Sequence, residues 1–129
     1  MSIARAASRY KAVQVQTSSP GAILLMLFDG VFKFLDEAKA AILVDDRAKA
    51  GERIERAHAI LTELAATLDR RTAPDLCENL ESIYVFCMGR LVEANLHRDA
   101  NRIEDVRRVL SPVREAFRQA VQAANTTQS

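Results

Sequence analysis

Few residues in this sequence have the chemistry of a reactive site, and the first candidates are a glutamate and a histidine. Glu55 and His58 stand three residues apart, the spacing that places a carboxylate and an imidazole on one helix face in di-iron bundles. Such a site needs a second pair of this kind and two further inward carboxylates. Glu93 and His97 have the wrong spacing for the second pair. We therefore expect Glu55 and His58 on a solvated flank, with no metal and no other cofactor.

The two cysteines are the other candidates. Cys77 and Cys87 are ten residues apart in one helical pattern, so roughly 15 Å separates them along the axis, too far for a disulfide. No further Cys or His pair accompanies them, as a metal site would require. We find no glycine-rich phosphate loop, nucleophile elbow or Ser/His/Asp arrangement. The sequence predicts reduced cysteines in or beside the core of a protein that is not an enzyme.

The balance of charge argues against nucleic acid as a partner. The 129 residues suit one domain, and the formal net charge is only +1, which gives no global field to attract a polyanion. Arg107, Arg114 and Arg118 can share a helix face, but Glu104 and Glu115 interleave with them. That pattern is typical of a solvated face with local ion pairs. We expect no nucleic-acid binding.

The distribution of apolar residues indicates a cytoplasmic protein. No uninterrupted apolar run reaches membrane-spanning length, and the N-terminal stretch MSIARAASRYKAVQ lacks the apolar centre of a secretory signal. The first 28 residues contain Arg5, Arg9 and Lys11 but no acidic residue. We expect a basic N-terminal arm and no membrane insertion.

Four amphipathic segments must position these residues. Residues 1–17 show no stable period and read as a flexible arm, residues 18–124 as a bundle, and residues 125–129 as a disordered tail. Ser19 can cap a helix that begins at Pro20, and this helix is predicted to run to about Val44. Short connections between amphipathic helices favour antiparallel neighbours. The predicted fold is all-α, an antiparallel up-down four-helix bundle with a flexible N-terminal arm.

The other three helices follow from apolar residues at alternating spacings of three and four. The second is capped by Asp45 or Asp46 and ends near Arg71, and the third follows the break at residues 72–75. The fourth begins at a capping box of Asn101 and Glu104, with Asp99 as an alternative cap, and Pro112 should kink or divide it. The apolar stripes of these three helices are Ile54, Ala57, Leu61, Leu64 and Leu68; Leu76, Leu80, Ile83, Cys87, Leu91 and Ala94; and Ile103, Val106, Leu110, Val113, Phe117 and Val121.

The first and third helices carry more apolar residues than one buried stripe requires. On the third, Val85, Val92 and Leu96 point away from the core stripe, Gly89 lies beside them and Met88 borders them. A missing side chain at a glycine lets another backbone approach closely. On the first helix, a second set lies opposite the core stripe, and it includes Leu25 and Phe32.

Two explanations compete for this surplus. The helices could touch additional neighbours or be covered by the basic arm. Alternatively, a continuous exposed apolar strip marks an interaction surface, and a groove for a partner helix is the physical suggestion. A structural homodimer that buries the strip against its own copy, or a metal-binding bundle, remains an alternative to a separate partner.

Three stretches resemble a known family. Tyr10 followed by VQTSSPGAILLMLFDGVFKFLDEAKAAI at 15–42, NLESIYVFCMGRLVEAN at 79–95 and IEDVRRVLSPVREAF at 103–117 are similar to the signatures of the flagellar export chaperones that bind flagellin, the FliS family. They occur in the family's order and span about residues 10–121. The resemblance implies a four-helix bundle and supports a functional role for Tyr10.

The same resemblance implies the function. Members of the family hold the disordered C-terminal segment of flagellin in the cytoplasm, prevent early polymerisation and present flagellin to the export gate of the flagellar type III secretion apparatus. The surplus stripes could supply part of an apolar groove on which such a disordered segment folds. We therefore predict that Leu25, Phe32, Val85, Met88, Gly89, Val92 and Leu96 bind the partner, and that the arm around Tyr10 covers apolar surface in the free protein.

Overall fold

Four helices form a ring in the computed structural model, which describes residues 20–128 and the side chains of residues 20–126. The helices are α1 (Pro20–Leu43), α2 (Arg47–Ala66), α3 (Pro74–His97) and α4 (Ala100–Gln128). Among the described residues, each helix contacts the two beside it, and the Cα atoms of diagonal helices do not come within 8 Å. The prediction of an all-α four-helix bundle is confirmed. The ring leaves no described helix in a central position with additional neighbours.

Side-chain caps define where α2 and α4 begin. Asp46 caps α2, because its carboxylate accepts a hydrogen bond from the Lys49 N–H at 3.2 Å. At the start of α4 the Asp99 carboxylate accepts from the Asn101 N–H at 2.9 Å. Glu104 is not part of a capping box, since it accepts from Lys39 of α1 instead. The alternative cap, Asp99, is therefore the correct one.

The end of α2 comes earlier than the sequence predicted. The helix stops at Ala66, and not near Arg71. The Thr67 hydroxyl donates to the Leu64 carbonyl at 2.8 Å, and the Asp69 carboxylate accepts from the Arg71 N–H and the Thr72 hydroxyl. Such side-chain bonds to the local backbone compete with helical hydrogen bonds. The Asp69 bonds hold the segment as a turn before α3.

The fourth helix is longer and more continuous than predicted. It passes through Pro112 without a break and extends to Gln128, so Pro112 does not divide it and the expected disordered tail from residue 125 is helical as far as 128. Pro112 is solvent-exposed, so water can satisfy the carbonyl that its missing N–H leaves free. Arg107 and Arg114, on either side of the proline, both pair with α1. These contacts hold both halves of α4 in line.

All four helices contribute to one apolar core. Most residues of the predicted stripes of α2, α3 and α4 lie in it, but Leu76 at the start of α3 was wrongly predicted, since it is 55% exposed and Cys77 is buried instead. The Phe28 ring of α1 lies 5.5 Å from the Phe117 ring of α4. Between α1 and the opposite corner of the bundle, the interior is filled by large side chains that are almost completely inaccessible to water. They include Leu35, Leu61, Tyr84, Leu91 and Leu110.

Both cysteines are buried free thiols, as predicted. Burial raises the pKa of the Cys87 thiol from 9.0 to about 12, and it raises the pKa of Tyr84 from 10.0 to about 12, with the nearby Cys87 charge adding to the shift. Both groups therefore lose their protons in the unfolded chain at a lower pH than in the folded protein. Stability is present below the unfolded pKa values and is lost as the pH rises above about 9.

We expect the free energy of unfolding to fall between pH 8 and pH 10.5, and to fall less in Cys87→Val, which keeps a buried apolar side chain but cannot ionise. The thiol alone should account for on the order of 1–2 kcal/mol of the decrease. Urea unfolding followed by circular dichroism at both pH values measures it. Equal pH dependence in the two proteins would contradict the expectation.

Candidate functional site

The outward face of α3 carries an open apolar strip. Val85, Val92 and Leu96 are 56%, 49% and 74% exposed. They recur, with Gly89 between them, at spacings of four, three and four, which places them on the side of α3 opposite the buried Leu91. A Cβ built at Gly89 meets no atom within 4 Å. We call Val85, Gly89, Val92 and Leu96 the α3 strip; they face outward as the pattern predicted, and their role in binding stays a prediction.

Two residues border the α3 strip. Met88 is half-buried, packs against the core and accepts a hydrogen bond from the Thr62 hydroxyl at 3.5 Å, which places it at the junction with α2. Phe86 lies on the other side, 43% exposed, with the Arg90 guanidinium 5.2 Å from its ring centre. Phe86 was not among the residues predicted from the sequence. Its exposure could have been predicted from the sequence, because neighbouring residues in a helix are only about 100° apart and Phe86 follows the outward-facing Val85.

The predicted site residues of α1 do not join this surface. Phe32 is 4% exposed and belongs to the core cluster, so the expectation that it points outward was wrong. The guanidinium groups of Arg107 and Arg114, both from α4, lie 5.1 and 4.9 Å from its ring centre. Leu25 is half-buried, and Tyr10 lies outside the described residues.

Ion pairs close the junction between α1 and α4. The three α1 partners follow one another at spacings of seven and three residues. Their α4 partners occur at the same spacings but in the reverse order along the chain. The regular spacing keeps the two helices in antiparallel register above Phe32. The pairs are Asp29–Arg114 at 2.8 Å, Asp36–Arg107 at 3.6 Å and Lys39–Glu104 at 2.9 Å.

Two other junctions have similar bridges. Arg53 of α2 pairs with Glu37 of α1, and Arg102 of α4 pairs with Glu93 of α3. Among residues 20–128 no ion pair joins a residue of α2 to one of α3, although Arg70 of the connecting segment pairs with Glu81 of α3. The Thr62–Met88 hydrogen bond is the described polar contact between the two helices. Between the two helices themselves, in the part of the chain that the structure describes, the α2/α3 junction is therefore the one without an ion pair.

A groove of about 720 Å³ lies at that junction. Its α3 wall includes Val92 and Leu96 of the α3 strip, and its α2 wall includes Ala59, with Glu55 and His58 beside it. The groove and the α3 strip thus form one continuous surface. An amphipathic helix or an extended segment with regularly spaced apolar side chains could bury those side chains here.

The metal and membrane alternatives can be compared with the described residues at this surface. Glu55 is exposed and His58 is half-buried, and within residues 20–128 no three His, Cys, Asp or Glu side chains are grouped so that they could hold a metal ion. None of the four helices, over the same range, is long and apolar enough to cross a membrane. The exposed apolar side chains of this surface are of the kind that another chain can cover.

The family model and the relatives that match this chain all have the same family name. The family model described as flagellar protein FliS matches residues 3–124. The chain is 32% identical over 123 residues to the flagellar secretion chaperone FliS of Bacillus subtilis, covering 95% of this chain and 91% of that protein. It is 34% identical over 116 residues to the protein of the same name from Salmonella typhimurium, covering 89% and 86% of the two chains. The Campylobacter jejuni protein of that name is 31% identical over 110 residues, covering 85% and 86%.

Proposed function

This chain belongs to the FliS family of flagellar secretion chaperones, and from that premise we propose that its client is flagellin. In this proposal the protein binds the disordered C-terminal segment of flagellin in the cytoplasm. It prevents premature polymerisation and delivers the client to the export gate of the flagellar type III secretion apparatus.

The observation that carries the proposal is the α3 strip. Three large aliphatic side chains are exposed on one helix face, at the spacing of a helix-binding groove, and the position between them is open at Gly89. When another chain covers apolar area of this kind, the complex is stabilised by about 25 cal/mol for each Å² removed from water. A terminal segment that is disordered before assembly can fold on the groove and cover it.

The proposed action is masking, and so it needs no ATP. While the C-terminal segment of flagellin is folded on the chaperone, the same apolar residues are unavailable for contacts between flagellin subunits. In the free protein we propose that residues 1–17, around Tyr10, cover part of the apolar surface. Leu25, which is half-buried on α1, is proposed as a secondary contact separate from the α3 strip and its groove.

Seeded filament assembly tests the proposal. With monomeric flagellin from the same organism, an equimolar amount of the chaperone should suppress elongation, and light scattering should report a one-to-one complex. Flagellin that lacks its C-terminal segment should form no complex, which controls for non-specific association. A stable dimer of the protein that neither binds flagellin nor delays assembly would favour the structural homodimer instead.

A further inference from the structure

The groove between α2 and α3 is charged on one wall only. Glu55 and Glu63 both line its α2 side, eight residues apart, and they are exposed and half-buried, respectively. Neither carboxylate has an ion-pair or side-chain hydrogen-bond partner in the part of the chain that the structure describes. The α3 wall consists of Leu91, Val92, Asn95 and Leu96 and carries no charge.

The cation that lines the groove does not neutralise these carboxylates. Arg56 donates to Glu52, and its guanidinium lies 5.8 Å from the centre of the Phe34 ring, on the α1 side of α2. Hydrogen bonds from Arg53 and then Arg56 lower the pKa of Glu52, which is thus also occupied. Two carboxylates remain on the α2 wall without a counter-charge.

We infer that the groove takes an amphipathic client segment with apolar side chains facing α3 and lysine or arginine side chains facing α2. The inference rests on the proposed function and adds to it the chemistry of the segment and its orientation. Glu55 and Glu63 are roughly 12 Å apart along the helix axis. A helical client with cationic residues about two turns apart could pair with both of them. Charge complementarity of this kind fixes the register and direction of a bound segment more than it increases affinity.

The test is a pair of matched double variants. Glu55→Gln with Glu63→Gln removes two charges from the groove and keeps the side-chain shape. Asp105→Asn with Glu115→Gln removes the same charge from α4, which is diagonal to α2 in the ring, and within the described residues both of these carboxylates form ion pairs only with arginines of α4 itself. Each protein is titrated calorimetrically, at low and high salt, with the C-terminal segment of flagellin from the same organism, and circular dichroism checks the fold.

We expect the groove variant to bind about three- to tenfold more weakly than wild type at low salt, as for two exposed ion pairs, and nearly as well at high salt. The α4 variant should bind like wild type. In a double-mutant cycle with Lys→Gln or Arg→Gln changes in the segment, at least one cationic residue should couple to Glu55 or Glu63.

The outcomes separate this inference from the proposed function. Tight wild-type binding that neither double variant alters, with no cationic residue coupled to the groove, would overturn the charge assignment and leave the chaperone function standing. Equal loss in both double variants would also overturn it, because the effect would then come from net charge. A wild-type protein that does not bind the segment at all would overturn the proposed function and the inference together.

Discussion

Replacing Val92 with aspartate is expected to weaken binding of the flagellin C-terminal segment by about 100-fold or more while the bundle stays folded. Full burial of a valine side chain contributes about 1.5–3 kcal/mol, of which roughly half is still available at Val92, and burying an unpaired carboxylate in its place costs several kcal/mol more. Val92 is 49% exposed and belongs both to the α3 strip and to the groove. In the free protein the new carboxylate can remain in water, so the cost arises only on binding.

The matched control is Val44→Asp, the same substitution at a valine that is 75% exposed in the connection between α1 and α2. It should leave affinity within about twofold of wild type. Val85→Asp, at the other end of the α3 strip, should behave like Val92→Asp. Circular dichroism should show near-normal helical content in all three. Unchanged affinity in Val92→Asp and Val85→Asp would show that flagellin binds elsewhere; unfolding of both variants would show that these positions are core.

Replacing Phe32 with alanine is expected to lower the free energy of unfolding by about 3–5 kcal/mol. The ring is 4% exposed in the core cluster, and two guanidinium groups of α4 lie against it. Removing it leaves a cavity and takes away the apolar support of Arg107 and Arg114. Since small domains have a total stability of about 5–15 kcal/mol, urea unfolding should show a large decrease in the midpoint.

Phe86→Ala provides the comparison for this variant. Phe86 is 43% exposed, and one guanidinium, that of Arg90, lies beside its ring, so its loss should change stability by only about 1 kcal/mol. If Phe32→Ala kept wild-type stability but lost flagellin binding, then Phe32 would belong to the binding surface, as its position in the sequence suggested, and the packing of α1 against α4 would be wrong.

Most of the fold could be predicted from the sequence because apolar spacing reports directly on which face of a helix is buried. The stripe of α2 from Ile54 to Leu64 and the stripe of α4 from Ile103 to Leu110 lie in the core as predicted. Two helix starts were also predictable, because the short side chains of Asp46 and Asp99 can accept hydrogen bonds from the free backbone N–H groups at a helix start.

The second apolar stripe of α1 shows where this reasoning fails. Spacing identifies a face, but it does not identify what covers that face. Phe32 is covered by Arg107 and Arg114 of α4. Their charge predicts a solvated face, but the long apolar stem of an arginine can also cover an aromatic ring. The ion pairs of Arg107 and Arg114 with α1 lie on either side of Pro112 and explain why the proline does not divide α4.

The candidate site was predictable in part. Val85, Val92 and Leu96 face outward because they lie opposite a stripe that was already fixed by Leu80, Cys87 and Leu91. The groove depends instead on which junction lacks ion pairs, and this is a property of two helices in contact. Glu55 and Glu63 line the groove because α2 lies beside Val92 and Leu96 of α3. The apolar pattern of one helix does not show which helix lies beside it.

A calorimetric titration of the wild-type protein with the flagellin C-terminal segment, at several temperatures, tests the central claim that the outward face of α3 binds this client. We predict saturable one-to-one binding with a large negative heat-capacity change, as expected when a segment folds and buries about 1,000–3,000 Å², and loss of that signal in Val92→Asp. No heat of binding, or a titration that Val92→Asp leaves unchanged, would contradict the account.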